Sequence, residues 1–248
     1  IEFSEIALVF ISAVPNLNYT LSKFFLIKEK NIFVEKPLAT KTSQVKEILS
    51  LSGQLKLILH VNYIHTYNKN FLKFVEYFQL QYDKNINQKL IFNFGSDGPV
   101  RKNLNTLWDW GPHVFSCLLL LIERFDEFII DEMKIIENNH KGKLNYYIIG
   151  SFKLKLKIKI IFGNKFKKKK TTIVFKNNKN ICSYEDSKIV LNHKKIIKYH
   201  DAEDTKPLDF SINNIVKKIN DKNYYRDNIS LEVTKILIMI EKQLIKLR

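Results

Sequence analysis

The chain has 248 residues, 45% of them hydrophobic and 27% charged, with 41 Lys and Arg against 25 Asp and Glu. This supplies enough apolar mass for one or two globular domains, and scarce glycine with plentiful apolar residues excludes collagen-like, coiled-coil and disordered chains. The longest apolar runs, Val114 to Ile122 and Ile236 to Ile240, fall short of the ~18 residues that a membrane span needs. Two cysteines, Cys117 and Cys182, exclude a disulfide scaffold and a four-cysteine zinc site, and Cys117 reads as core. With no secretory signal in view, the expectation is a reduced cytoplasm and no membrane partner.

The net charge of +16 is concentrated in one region. Between Ser151 and Asn180 stand eleven lysines and no acid. Within it Leu154, Leu156, Ile158 and Ile160 alternate with Lys153, Lys155, Lys157 and Lys159, so one strand face is apolar and the other solvated. A hairpin is predicted at Gly163-Asn164. A charge block without interleaved aromatics or a recognition motif is read as a solvated sheet face and loop, not as a nucleic-acid surface.

In chain order, Ile6 to Ser12 is an apolar run of strand length, ended by Ala13-Val-Pro-Asn16. Helical spacing from Tyr19 to Glu29 follows, then a strand at Ile32 to Val34 and a helix over Val45 to Leu51. Thr42 or Ser43 would cap that helix and Gly53 would end it. Leu55 to Val61 is a third strand. Strand, helix, strand, helix, strand is the order of a parallel sheet with crossover helices, here half of a doubly wound domain over residues 1–61.

Residues 62–248 read as an α+β domain with a largely antiparallel open sheet flanked by helices. Helices are predicted at Asn70 to Gln81 and after Asp109. Strands are predicted at Lys89 to Phe94, Tyr146 to Leu156, Ile158 to Phe162, Thr171 to Phe175, Lys188 to Leu191 and Ile196 to Tyr199. Helices return at Asp209 to Ile219 and Leu231 to Leu247. Asp109 taken alone reads as an N-cap, with Pro112 in the first helical turn, and His113 alone as a packed histidine.

Two segments are more specific: Phe33-Val-Glu-Lys-Pro-Leu-Ala39 after a strand, and Leu107-Trp-Asp-Trp-Gly-Pro-His-Val-Phe-Ser116 at a helix start. Together with Val9-Phe-Ile-Ser-Ala-Val-Pro-Asn16, they resemble the glucose–fructose oxidoreductase / inositol dehydrogenase (Gfo/Idh/MocA) family of NAD(P)-dependent oxidoreductases. The resemblance extends to the closing helices from Asp209 to Glu241. It implies a partial Rossmann unit holding its last three parallel strands, NAD or NADP as cofactor, and a sugar, polyol or nucleotide-sugar substrate. It also implies two preceding βαβ units with a Gly-rich fingerprint. No G-x-G stands in this sequence, so the expectation is a chain shortened by on the order of 60–75 residues, inactive alone. An incomplete member unable to bind the cofactor is the alternative function, with a basic nucleic-acid-binding protein more remote.

By the resemblance, Lys36, His113 and Asp109 are the catalytic set. Lys36 would orient the substrate hydroxyl and share in proton transfer, His113 would act as general base, and Asp109 would hold a substrate hydroxyl or support the imidazole. Pro37 is expected to take a cis bond that fixes the lysine. Ala13, Pro15, Asn16, Tyr19, Glu35 and Lys36 correspond to cofactor contacts, although Tyr19 stands where many members carry His. Asn62 and Tyr63, with His65, are expected to line the substrate pocket beside Asp109 and His113; Thr66 stands where members often carry Arg. No metal is implied. Members commonly oligomerise through the open face of the second sheet, but the Lys153 to Lys159 face predicts that a homo-oligomer would not be dry there.

Overall fold

The computed structural model describes residues 5–101, 104–122, 126–138, 143–153, 155–186, 188–192, 195–197, 206–222, 227 and 229–246. Leu154, Tyr199 and Leu247, which the sequence assigns to elements, lie outside them.

The first unit is a three-stranded parallel sheet in the order β1 (Leu8–Ile11), β2 (Asn31–Glu35), β3 (Leu59–Asn62), with crossover helices α1 (Pro15–Ile27) and α2 (Thr42–Leu55). Val34 and Leu59 are fully buried, as strands covered on both faces require. Among the described residues β1 pairs only with β2, and Phe10, Val14, Leu17, Phe24 and Ile27 along β1 and α1 are exposed.

Helix α1 starts at Pro15, ahead of the Tyr19 that apolar spacing indicates, because proline at the first position needs no N–H partner. Helix α2 also differs from expectation. Thr42 is its first residue, not its cap; Lys41 holds the cap position without a side-chain bond. Gly53 stays inside the helix, and the chain leaves through Lys56 at φ 53°, after its N–H and that of Leu57 take up the carbonyls of Gly53 and Ser52. Strand β3 accordingly begins at Leu59 rather than Leu55.

After a short 3-10 turn over Ile64–Tyr67, α3 (Lys69–Gln81) is capped by Asn68, whose side chain accepts from the Phe71 N–H at 3.0 Å. Helix α4 (Thr106–Ile122) is capped by Asn105, which accepts from the Trp108 N–H at 3.0 Å. Asp109 is therefore not a cap. It lies inside the first turn, and Pro112 falls within the helix, where it has no N–H for the Trp108 carbonyl.

The second sheet has eight strands: β4 (Gln88–Gly95), β5 (Phe128–Asn138), β6 (Lys143–Phe152), β7 (Leu156–Gly163), β8 (Lys170–Lys176), β9 (Ile181–Glu185), β10 (Lys188–Leu191) and β11 (Lys195–Ile197). Their order is β11-β10-β9-β8-β4-β7-β6-β5, antiparallel throughout except between β4 and β7. The alternation in the sequence marks the inner face: Phe92 lies between Ile160 and Ile173, and Leu90 between Ile158 and Phe175, all fully buried.

Two expectations fail here, and two strands were not anticipated. The run from Tyr146 to Leu156 is two strands, broken after Phe152 by a turn with Lys153 at φ 48°, so Lys153 and Lys155 belong to the turn while Lys157 and Lys159 remain on β7. Gly163-Asn164 does not make a β7–β8 hairpin, because β4 is inserted between those strands; its Leu90, Phe92 and Phe94 fill the gap that a hairpin would close. Strands β5 and β9 carry too little alternation to stand out.

Helices α5 (Pro207–Asn220) and α6 (Ser230–Lys246) return to the first unit. Ile215 packs on Phe33 and Ile58, and α6 lies against α4, where a Cβ at Gly111 would collide with Leu237. One buried cluster runs from Ile11 and Val34 through Phe71 and Phe115 to Leu237, so the two sheets share a core. No helix among the described residues is long and apolar enough to cross a membrane.

Candidate active site

The carboxyl ends of β1 and β2 open toward the N-terminal half of α4, the place where open parallel sheets bind ligands. The chain after β2 is held from beneath by Asn18, which is fully buried in α1. Its amide donates to the Glu35 carbonyl at 2.9 Å and to the Pro37 carbonyl at 3.0 Å, one on each side of Lys36. The Lys36–Pro37 bond is cis.

From this fixed backbone Lys36 reaches across to α4. Its Nζ donates to the main-chain carbonyl of Asp109 at 2.7 Å and lies 3.4 Å from the Asp109 Oδ1. The other carboxylate oxygen is 3.4 Å from Nε of Arg101, so Asp109 stands between two cations. Burial pushes the Lys36 ammonium below its ordinary pKa, while the neighbouring Asp109 charge opposes that shift.

His113 is one helical turn beyond Asp109 and meets His65 edge-on, ring centroids 5.1 Å apart. Its Nδ1 is covered and has no hydrogen-bond partner among the described residues. Burial first, then the charge of Lys36 and the neighbouring His65, hold its pKa well below the usual imidazole value. His65 is pushed down to about 4, chiefly by burial. Both rings are neutral at neutral pH.

Two cavities meet at Trp110 and His113. The first, about 590 Å³, is walled by Ser12 to Pro15 after β1, by Glu35 and Lys36 after β2, and by Arg101, Leu104 and Asp109. The second, about 630 Å³, lies toward the large sheet. Its walls include Ile64, His65 and Asn68 from the turn and cap before α3, and Lys169, Thr171, Tyr184 and Asp186 from the strands.

Six residues singled out in the sequence are thus brought together in the first cavity: Ala13, Pro15, Glu35, Lys36, Asp109 and His113. Others are placed elsewhere. Asn16 is exposed in the first turn of α1 and lines neither cavity. Tyr19 points along the outside of α1, where its hydroxyl donates to Glu47 of α2 at 2.6 Å. Asn62 is buried behind the site: its amide donates to the Glu35 carboxylate at 2.7 Å, and its carbonyl oxygen accepts from Ser211 at 3.3 Å. Tyr63 donates to Ser230 at 2.9 Å, tying β3 to α6. Asn62 and Tyr63 therefore support the walls instead of forming them, while His65 does line the second cavity. The Thr66 hydroxyl turns back to the Tyr63 carbonyl at 2.8 Å.

Asn18, Arg101 and Lys169 carry no motif in the sequence. Asn18 looks like any polar helical residue, Arg101 lies in the connection before α4, and Lys169 is lost in a lysine run. Only Trp110, inside the second motif, carried a signal.

Residues 2–63 match the model of a family described as an oxidoreductase family with an NAD-binding Rossmann fold, Gfo/Idh/MocA. Those residues, the unit that carries the parallel sheet, are thus similar to the NAD-binding Rossmann unit of that oxidoreductase family, as the motif around Lys36 implies. The fold is also that of the 3-ketoreductase KijD10 from Actinomadura kijaniata, solved with NADP and TDP-benzene. A variant of it aligns with a TM-score of 0.81 at 12% identity, over 97% of this chain and 79% of that one. UDP-N-acetylglucosamine 3-dehydrogenase from Acidithiobacillus ferrooxidans gives 0.73 at 10% identity, covering 96% and 78%. A dehydrogenase from Clostridium difficile gives 0.70 at 15%, covering 96% and 78%. No curated protein matches the sequence.

Proposed function

We propose that the chain acts as an NAD(P)-dependent oxidoreductase on a hydroxyl or ketone of a sugar, polyol or nucleotide-sugar. The observation that carries this reading is the 2.7 Å bond joining Lys36 to Asp109 across 73 residues of sequence, on a cavity that His113 also lines. The known ligands of the similar folds agree with this substrate range.

The first cavity suits the nicotinamide end of the cofactor. Ser12, Ala13, Val14 and Pro15 form one wall of it, opposite the helix that carries Asp109 and His113, and the unpartnered Nδ1 of His113 shows a polar group still to be satisfied. When bound, the nicotinamide accepts or donates the hydride. The residues of the chain then handle the proton and the oxygen. In the oxidising direction neutral His113 takes the hydroxyl proton as the C–H bond yields its electron pair. Lys36, with two of its donors held by Asp109, has a third for the substrate oxygen and stabilises the charge that develops there. Asp109, itself held by Arg101, fixes the direction of that ammonium. In reduction the same groups return the proton.

Two buried free cysteines suit a reducing compartment such as the cytoplasm. A homo-oligomeric contact through the open face of the large sheet would have to keep Lys157 and Lys159 hydrated. The function is tested by following NADH or NADPH absorbance with a panel of sugars, polyols and nucleotide-sugars, for the protein and its Lys36→Ala variant. Turnover that the variant loses is the expected result. No turnover with any member favours the alternative of a member unable to bind the cofactor, and turnover indifferent to Lys36 overturns the reading.

A further inference from the structure

The first cavity contains charged groups that already hold one another; the second does not. Asp186 offers one oxygen to the Thr171 N–H at 3.0 Å. Lys169, at the end of the loop between β7 and β8, lines the same cavity as His113 and has no carboxylate partner among the described residues. Its side chain is exposed at the mouth of that cavity.

The surroundings show that this ammonium belongs to the site. Its charge acts on both His65 and His113, helping to hold the two imidazoles neutral. Behind it, Asn68, Thr171 and Tyr184 are buried, giving the cavity a fixed polar wall while the lysine at its mouth stays adjustable. Lys167, Lys168 and Lys170, its exposed neighbours in the chain, add to the positive field of this segment. A neutral polyol gives this arrangement nothing to neutralise.

We propose that Lys169 selects substrates carrying an anionic substituent, carboxylate or phosphate, at the end of the molecule away from the reacting carbon. The assignment rests on the oxidoreductase reading, because that reading places the reacting carbon at His113. With the reacting end at His113, the anionic end meets Lys169 in one charge-assisted hydrogen bond. Lys169 is then a specificity residue and takes no part in hydride or proton transfer.

The experiment is a calorimetric titration of the protein with D-glucuronate, D-glucose 6-phosphate and D-glucose, repeated for Lys169→Ala and Lys169→Arg. The expected result is about tenfold tighter binding of at least one anionic probe than of glucose, lost in Lys169→Ala and kept in Lys169→Arg, with glucose unaffected. The better of the two anionic probes tells carboxylate from phosphate. Raising the salt concentration should weaken the anionic probe alone. No preference for either anion, or a preference that survives Lys169→Ala, overturns the proposal. An anion preference that depends on Lys169, in a protein that transfers no hydride to or from any probe, would keep the binding site and overturn the oxidoreductase reading instead.

Discussion

The two cavities that share Trp110 and His113 are built on different principles. On the side of the parallel sheet the charges are paired: Lys36 with Asp109, Asp109 with Arg101, Glu35 with Asn62. On the side of the large sheet the imidazole of His65 is neutral, and Lys169 has no carboxylate partner among the described residues. The paired side is held by strand ends and a helix, with Asn18 locking the backbone on each side of Lys36. The open side draws on a loop between strands. Fixed charges suit chemistry that needs a set geometry, and adjustable ones suit recognition.

The largest expected effect tests the paired side directly. Lys36→Ala removes the donor to the substrate oxygen and leaves Asp109 with Arg101 alone. A loss of about 10³-fold in kcat/KM is expected by analogy with the loss of one oxyanion donor. Lys36→Arg should not restore it, because a planar guanidinium cannot take the place of a compact ammonium bonded to a main-chain carbonyl. Steady-state kinetics that show less than a tenfold loss would remove Lys36 from the chemistry.

Next in size is His113, where the prediction concerns pH as well as rate. His113→Gln should cost about 10²-fold in kcat/KM, at the lower end of what a general base contributes. In the unaltered protein the pKa of His113 is depressed, so the ring is neutral above the usual imidazole value and protonates only well below it. Activity should hold steady as pH falls through 6.5 and decline at lower pH, as the base is lost. At the other end, the lowered pKa of Lys36 should bring an alkaline decline below pH 10.5. His113→Gln should abolish the acid limb and keep the alkaline one. An acid limb that survives the substitution assigns it to another group.

How much of this was legible follows from range. The buried strand at Ile32 to Val34 and the alternation from Leu156 to Ile160 are written in nearest neighbours, and the structure has both. The insertion of β4 between β7 and β8 depends on residues some seventy positions apart, and no local pattern announces it. The same division holds in the site. Glu35-Lys36-Pro37 and Asp109 to His113 stand out as motifs, and the structure brings Lys36, Asp109 and His113 to one cavity. Asn62 and Tyr63 have the chemistry of pocket residues, yet β3 turns them toward Glu35 and Ser230, a matter of packing that polarity alone does not reveal. Lys169 had the opposite fate, hidden because its neighbours in sequence are also lysines.

Asn18 offers a smaller but more specific test of why the paired side is rigid. Asn18→Leu keeps most of the volume and removes both bonds to the loop, leaving the Glu35 and Pro37 carbonyls without their donor. The expected cost is about tenfold in kcat with KM for the sugar changed less than threefold, since Lys36 is mispositioned while the second cavity is untouched. A melting temperature lowered by a few degrees should accompany it, in keeping with ~1–3 kcal/mol for unpaired buried acceptors. An equal rise in KM and fall in kcat would point to general disruption instead of loss of position.

The smallest effect is expected at Tyr19, and it decides whether α1 contacts the cofactor beyond its first turn. The resemblance places a cofactor contact at this position. In the structure the Tyr19 hydroxyl instead bonds to Glu47, which Lys23 also reaches at 2.6 Å, and all three lie on the outer surface of α1 and α2. That bond, with the Glu47 charge, raises the pKa of the phenol, so the hydroxyl stays a donor at any pH the enzyme meets. Tyr19→Phe removes the donor and keeps the ring, and so tests the bond alone. KM for NAD and NADP should change by less than twofold, as should kcat, because neither cavity loses a wall. Exposed ion pairs contribute little, so Glu47→Ala should act the same way. A rise of tenfold or more in cofactor KM for Tyr19→Phe, with none for Glu47→Ala, would mean that the tyrosine turns inward when the cofactor binds. The paired side would then be less rigid than Asn18 makes it, and the contrast between the two cavities would lose its structural basis.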